Sequence, residues 1–264
     1  MADDTEVLER AQRERLLELL REQAKRDGQK LFHNIFPEVT VYEADGCTVA
    51  PIPGTDGIQM YARKLYPKHM EFFKAGKIYR ERAAICANRI GKTLSMGAFE
   101  TTCHLTGLYP KWWEGKKFTK PVRAWAVGET YESTRDTVQV ALLGHVETID
   151  AQKKGMTGTG MIPGKLITSY SWKQSVKDFV DVCKVKHVSG GFSTLGLKAY
   201  QQGVGSFAGT AQHVIWCDEL CPEDVWMECL TRTATTGGII YLTVTPLKGL
   251  TGAVRSFFEN EKGK

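Results

Sequence analysis

Apolar positions along this chain fall into three patterns: helical spacing among charges, short unbroken runs, and stretches broken by proline and glycine. From Thr5 to Asp27 the residues Val7, Leu8, Ala11, Leu16, Leu17, Leu19, Leu20 and Ala24 recur at helical spacing. Asp4 or Thr5 would cap this helix and Gly28 would end it. Its alternating charge suits a solvated helix, packed on a flank or held out as an arm for a partner subunit. Between Leu31 and Tyr61 the pattern breaks at Pro37, Pro51 and Pro53, which predicts a linker or extended wrap. Pro67 suits the first turn of a helix through Ala75, closed by Gly76.

The short apolar runs come next. Ala83-Ala84-Ile85-Cys86, Val122 to Gly128, Val214-Ile215-Trp216-Cys217 and Ile239 to Val244 are continuous rather than alternating. Strands of that kind are buried on both faces, as in a parallel sheet covered by helices. Helices are predicted from Thr93 to Thr102 and from Glu132 to Leu143. A flexible loop is predicted from Ala151 to Gly164, and hairpins between Ile167 and Tyr200. The Gly158-x-Gly160 pair in that loop lacks a strand before it and a helix after it, so it is no dinucleotide fingerprint. The Trp112-Trp113 pair suits packing under a loop better than a base-stacking platform.

Chemistry enters at two strand ends. The run Arg82 to Thr93 reads strand, tight turn, then Gly91-Lys92-Thr93 opening a helix. That order of parts makes a phosphate-binding loop, with backbone N–H groups and a helix N-terminus facing the anion. Lys92 would reach the β- and γ-phosphates and the Thr93 hydroxyl would ligate Mg²⁺. The usual pattern has a further glycine five residues before Gly91, where this chain has Cys86. Downstream, His213 to Cys217 ends in Asp218-Glu219. Placed beside the loop strand, Asp218 would hold Mg²⁺ through its water shell and Glu219 would orient or deprotonate the attacking water. Acidic residues after a strand also cap helices, and Pro222-Glu223-Asp224 looks like a helix start. Thr245 ends the next apolar strand, at the edge where ligands sit in a parallel sheet.

Composition narrows the class. The chain has 264 residues, 42% hydrophobic and 25% charged, enough for a full core in one large domain with an appendage. No apolar run reaches the ~18 residues of a membrane span, and the acidic start Met1 to Glu6 is not a signal peptide; a cytoplasmic protein is expected. Seven cysteines form no C-x-x-C pair, and Cys86, Cys103, Cys183 and Cys217 suit reduced core positions. The spacing of His213, Cys217, Cys221 and Cys229 matches no common zinc module. A net charge of +5 permits an anionic partner. Seven basic residues (Arg63, Lys64, Lys68, Lys74, Lys77, Arg80 and Arg82) flank the loop; they suit nucleotide, nucleic acid or plain solvent equally.

In this order, four motifs resemble the ATPase domain of tailed-bacteriophage large terminase subunits, over roughly Arg63 to Gly252. Tyr66-Pro67-Lys68-His69 resembles the adenine-side motif, with His69 where glutamine is common. Asn88-Arg89-Ile90-Gly91-Lys92-Thr93 resembles the family's deviant Walker A loop. Val214 to Glu219 resembles Walker B with its catalytic glutamate, and Leu242-Thr243-Val244-Thr245-Pro246 the coupling motif. The resemblance implies a P-loop NTPase of the ASCE, RecA-like type: an α/β fold with a mostly parallel central sheet flanked by helices. Residues 61–264 would form this domain, and residues 1–60 an N-terminal helix and linker. It also implies ATP and Mg²⁺ as cofactors, with Glu219, Arg89 and Lys92 catalytic. Nucleotide contacts would come from Tyr66, His69 and 88–93, Mg²⁺ contacts from Thr93 and Asp218, and coupling from Thr243 and Thr245. The implied partners are double-stranded DNA, the portal protein, the small terminase subunit and further copies in a ring, in the cytoplasm of the infected bacterium. The nuclease that usually follows is missing from this chain, so no DNA cleavage is expected of it. No arginine stands between Arg135 and Arg232, which leaves Arg232 as a weak candidate for a finger acting in trans. The rival readings are a helicase- or RecA-like nucleic-acid ATPase and a non-catalytic nucleotide-binding scaffold.

Overall fold

The computed structural model describes Arg15 and residues 31–55, 57–87, 89–150, 153–246 and 252–259. The N-terminal helix expected from Thr5 to Asp27 lies outside the described residues except for Arg15, and Asn88 lies outside them too. The strands are β1 (Glu81–Ile85), β2 (Arg123–Gly128), β3 (Val146–Asp150), β4 (Lys153–Met156), β5 (Ile167–Trp172), β6 (Val180–Lys186), β7 (Phe192–Ala199), β8 (Val214–Asp218) and β9 (Ile239–Val244). Seven of them form one sheet in the order β1-β9-β8-β2-β7-β6-β5. The first five are mutually parallel, and β6 and β5 extend the sheet antiparallel. The expected placement of Asp218's strand beside the loop strand is corrected here: β9 pairs in parallel with both β1 and β8 and so lies between them.

The unbroken apolar runs cover both faces of this sheet. Ala124, Ala126, Val214, Trp216, Ile239 and Tyr241 point into one cluster with Phe73, Phe99 and Leu142. Their neighbours Trp125, Val127, Ile215, Cys217, Ile240 and Leu242 point into the other, with Val225 and Trp226. The period of two along each strand divides the residues this way. Helix α1 (Pro67–Ala75) starts on its proline, as expected. The loop opens into a π-helical segment, Lys92–Ala98, that continues as α2 (Phe99–Thr106). After β2, α3 (Tyr131–Ser133), a second π-helical segment (Thr134–Gln139) and α4 (Val140–Leu143) follow in one run. Helices α5 (Glu223–Ala234) and α6 (Gly252–Glu259) follow.

Three expectations change on this frame. The segment from Ala151 to Gly164 is not simply a loop: Lys153–Met156 pairs with β3 as a hairpin, and Met161 and Ile162 are buried. The N–H groups of Met161 and Ile162 bond the carbonyls of Ala141 and Leu142, a fixed path that glycine content alone conceals. Residues 31–55 and 57–60 are not a linker outside the domain: Leu31, Phe32, Ile35, Phe36 and Ile52 lie in the same core cluster as the strands. Five of the seven basic residues before the loop are engaged by the protein itself. Lys68 and Lys74 pair with Glu71 and Glu114. Arg63 lies over Trp112, Arg80 bonds Leu230 O and Thr233 Oγ1, and Arg82 is buried against Glu100 at 2.7 Å. The Trp pair packs as expected: Trp112 stacks on Phe99 and Trp113 tilts against Phe73.

Candidate active site

The loop leaves β1 at Cys86, whose N–H bonds Val244 O at 3.0 Å and so prolongs the ladder by one residue. Gly91 then takes φ 81°, a left-handed conformation that glycine adopts at no steric cost. A Cβ there would also meet Ser95 Oγ at 2.6 Å. Ser95 Oγ donates to Gly91 O at 2.6 Å and lies 2.9 Å from His69 Nε2, which ties α1 to the loop's turn. Burial pulls the His69 pKa down to about 4, against a raising contact with the Ile90 backbone, so its imidazole is neutral at pH 7.

Across from the loop helix, β8 ends in Asp218. The Thr93 hydroxyl lies 3.2 Å from each Asp218 carboxylate oxygen. Thr243 Oγ1, on the intervening β9, donates to Asp218 Oδ1 at 2.6 Å. Lys92 is buried and its Nζ lies 3.7 Å from Glu219 Oε1. Glu219 has φ 64°, uncommon for a residue with a side chain. Its N–H bonds Thr243 O at 2.8 Å and its Oε2 accepts from Thr245 N–H at 3.5 Å. Asp218 is 3% exposed, and burial is the main cause raising its pKa to about 7. Glu219 adds to the rise, while Thr243, Thr93 and Lys92 oppose it.

Beside the loop is a cavity of about 550 Å³ lined by Phe36, Tyr66, His69, Arg89, Ile90 and Leu94, among others. Thus Tyr66, His69, Arg89, Ile90 and Gly91 border one space, while Lys92, Thr93, Asp218, Glu219, Thr243 and Thr245 converge next to it. Gln59 also lines the cavity; its place in a proline-broken stretch gave no sign of it. Arg232 lies elsewhere. Its carbonyl accepts from Gln212 N, just before β8 begins, so it sits toward the sheet edge opposite Asp218. Its side chain is held at 3.0 Å by Glu228 on the same helix.

The parallel sheet, the loop at its carboxyl edge and the Asp-Glu pair two strands away define a P-loop NTPase fold of the ASCE, RecA-like type. Residues 85–262 match the family described as terminase large subunit, T4likevirus-type, N-terminal. The chain belongs to that family. It is 36% identical over 218 residues to the terminase large subunit of Salmonella phage P22, covering 76% of this chain and 42% of that one. The chain thus spans less than half the length of that relative. A large terminase from a thermophilic bacteriophage, solved in complex with ADP, superposes with a TM-score of 0.45 at 14% identity, covering 68% of this chain and 38% of that one. A second crystal form of it gives 0.43 at 14% identity and the same coverage. No described helix is long and apolar enough to cross a membrane.

Proposed function

We propose that this chain binds ATP with Mg²⁺ at the loop, hydrolyses it, and is the motor portion of a machine that packages phage DNA. The observation that carries this reading is the Thr93 hydroxyl within 3.2 Å of both Asp218 oxygens, beside a Lys92–Glu219 pair. A hydroxyl and a carboxylate are the hard oxygen donors Mg²⁺ prefers, so the residues fit the ion. When bound there, Mg²⁺ supplies charge neutralisation at the phosphate oxygens. Lys92 moves from Glu219 to the β- and γ-phosphates, and the freed Glu219 carboxylate orients the attacking water and takes its proton. Arg89 reaches the phosphates from the cavity side, and Tyr66 and the neutral His69 flank the base.

On this reading the motor domain is residues 61–264 together with the preceding wrap, whose Leu31, Phe32, Ile35, Phe36 and Ile52 share its core. Translocated double-stranded DNA is held through its phosphates, without sequence preference and with strong salt dependence. Portal protein, small terminase subunit and further copies in a ring are its partners in the host cytoplasm. The helicase-like and scaffold readings gain no separate support from the geometry, since Cys86 only lengthens β1.

Hydrolysis by wild type, Lys92→Ala and Glu219→Gln tests the assignment. Glu219→Gln is expected to keep nucleotide affinity while losing about 10²-fold or more in rate. Equal rates for wild type and Glu219→Gln would remove the glutamate from the mechanism.

A further inference from the structure

The hydrogen bond that Asp218 receives from Thr243 has its direction set by a third residue. Thr243 faces Asp218 across the parallel β8–β9 register, with the 2.6 Å contact between Thr243 Oγ1 and Asp218 Oδ1. A threonine hydroxyl has a single hydrogen and two acceptor lone pairs, and it rotates freely among partners. Trp216, two residues before Asp218 and so on the same face of β8, removes that freedom. Its indole Nε1 lies 2.7 Å from Thr243 Oγ1. An indole nitrogen only donates. The hydroxyl oxygen therefore accepts from Trp216, and its one hydrogen is left for the carboxylate.

The indole is itself fixed. Trp216 and Thr243 are fully buried, and the ring packs close against Gly97 on the segment that follows the loop. A Cβ at Gly97 would come within 2.1 Å of Trp216 Cε2. Loop helix, carboxylate strand and intervening strand thus share one side chain.

We propose that Trp216 is a positioning residue for the carboxylate that serves Mg²⁺. It commits the Thr243 hydroxyl as a donor and thereby fixes which Asp218 oxygen stays free for the ion. This inference rests on the reading of Asp218 as the magnesium-side carboxylate. Groups that orient a metal's ligands are worth about 10–100-fold in metal affinity, which sets the size of the effect.

The test uses the full chain and a fluorescent ADP analogue, titrated with and without Mg²⁺; the readout is the gain in affinity that the ion confers. Trp216→Phe is expected to cut that gain by about tenfold or more while leaving metal-free nucleotide affinity unchanged. Thr243→Val is expected to cut the magnesium gain as well, Thr243→Ser to keep it, and the double variant Trp216→Phe/Thr243→Val to lose no more of it than Thr243→Val alone. A full magnesium gain in Trp216→Phe, or additive losses in the double variant, overturns the proposal. The Trp216 indole N–H resonance supplies a measurement that needs no Trp216 variant. It should shift in Thr243→Val and hold in Thr243→Ser; an indifferent resonance overturns the relay. Asp218→Asn, run in parallel, separates the two levels. If it keeps the full magnesium gain, the carboxylate reading itself fails, whereas its loss beside an unaffected Trp216→Phe overturns the relay alone.

Discussion

Replacing Asp218 by Asn should make the ligand-free protein more stable at neutral and alkaline pH, though the change removes a functional group. Asp218 titrates near 3.8 when unfolded and near 7 when folded, chiefly because it is buried. Between those values the folded chain binds more protons than the unfolded one, so stability falls as pH rises. Each unit of difference is worth about 1.36 kcal/mol, and about three units give roughly 4 kcal/mol, lost in full above pH 7. Asn has nearly the same shape and does not titrate. Urea unfolding of both proteins in chelator, at steps from pH 4 to pH 8, reads the effect as a difference, so shared groups cancel. The expected curve favours the Asn variant progressively, by up to about 4 kcal/mol at pH 8. A flat difference across that range would refute the buried, raised carboxylate. Mg²⁺ with ADP should reduce the disadvantage of the wild type, because the ion favours the charged form.

Two further substitutions probe the framework. Gly97→Ala puts a methyl group 2.1 Å from the Trp216 ring and should cost about 1–3 kcal/mol; a thermal melt that matches wild type would show that the indole is not fixed there. Glu100→Gln leaves Arg82 charged at 5% exposure, and breaking a buried pair of this kind costs about 3–5 kcal/mol. The double replacement Arg82→Met/Glu100→Leu should recover much of that loss in chemical unfolding, and no recovery would mean that the pair itself stabilises the fold.

The parts that were legible in the sequence are those where local chemistry and local geometry coincide. Gly91-Lys92-Thr93 after an apolar run can hardly be anything but a strand-turn-helix corner, and four apolar residues before Asp218-Glu219 mark a doubly buried strand end. Their meeting at 3.2 Å could be expected because both lie at carboxyl ends of parallel strands. What the sequence withheld was pairing. Nothing in β1, β8 or β9 says that β9 takes the middle place, since all three read as equivalent apolar runs. The β3–β4 hairpin escaped notice because Lys153-Lys154-Gly155-Met156 carries a single apolar residue, and the stretch after it is fixed by backbone bonds from Met161 and Ile162 to α4 rather than by an apolar pattern. The basic flank misled for a similar reason. Arg82 and Glu100 are eighteen positions apart and on different elements, so a linear scan shows charge without its partner.

Trp216 shows the same limit inside the site. In a strand reading Val-Ile-Trp-Cys it counts only as bulk, one more apolar residue at a buried position. Its indole N–H matters because alternation puts it on the Asp218 side of β8 and because β9 brings Thr243 opposite. Neither fact is local. A Phe at 216 would satisfy every pattern used to find the strand and would still leave the Thr243 hydroxyl free to rotate. On the proposed reading, β9 therefore holds the Asp218 carboxylate in one orientation only through a residue whose polar atom the hydrophobic pattern conceals. It is at such positions, where a side chain fills the core and also directs a hydrogen bond, that the sequence pattern alone understates the site.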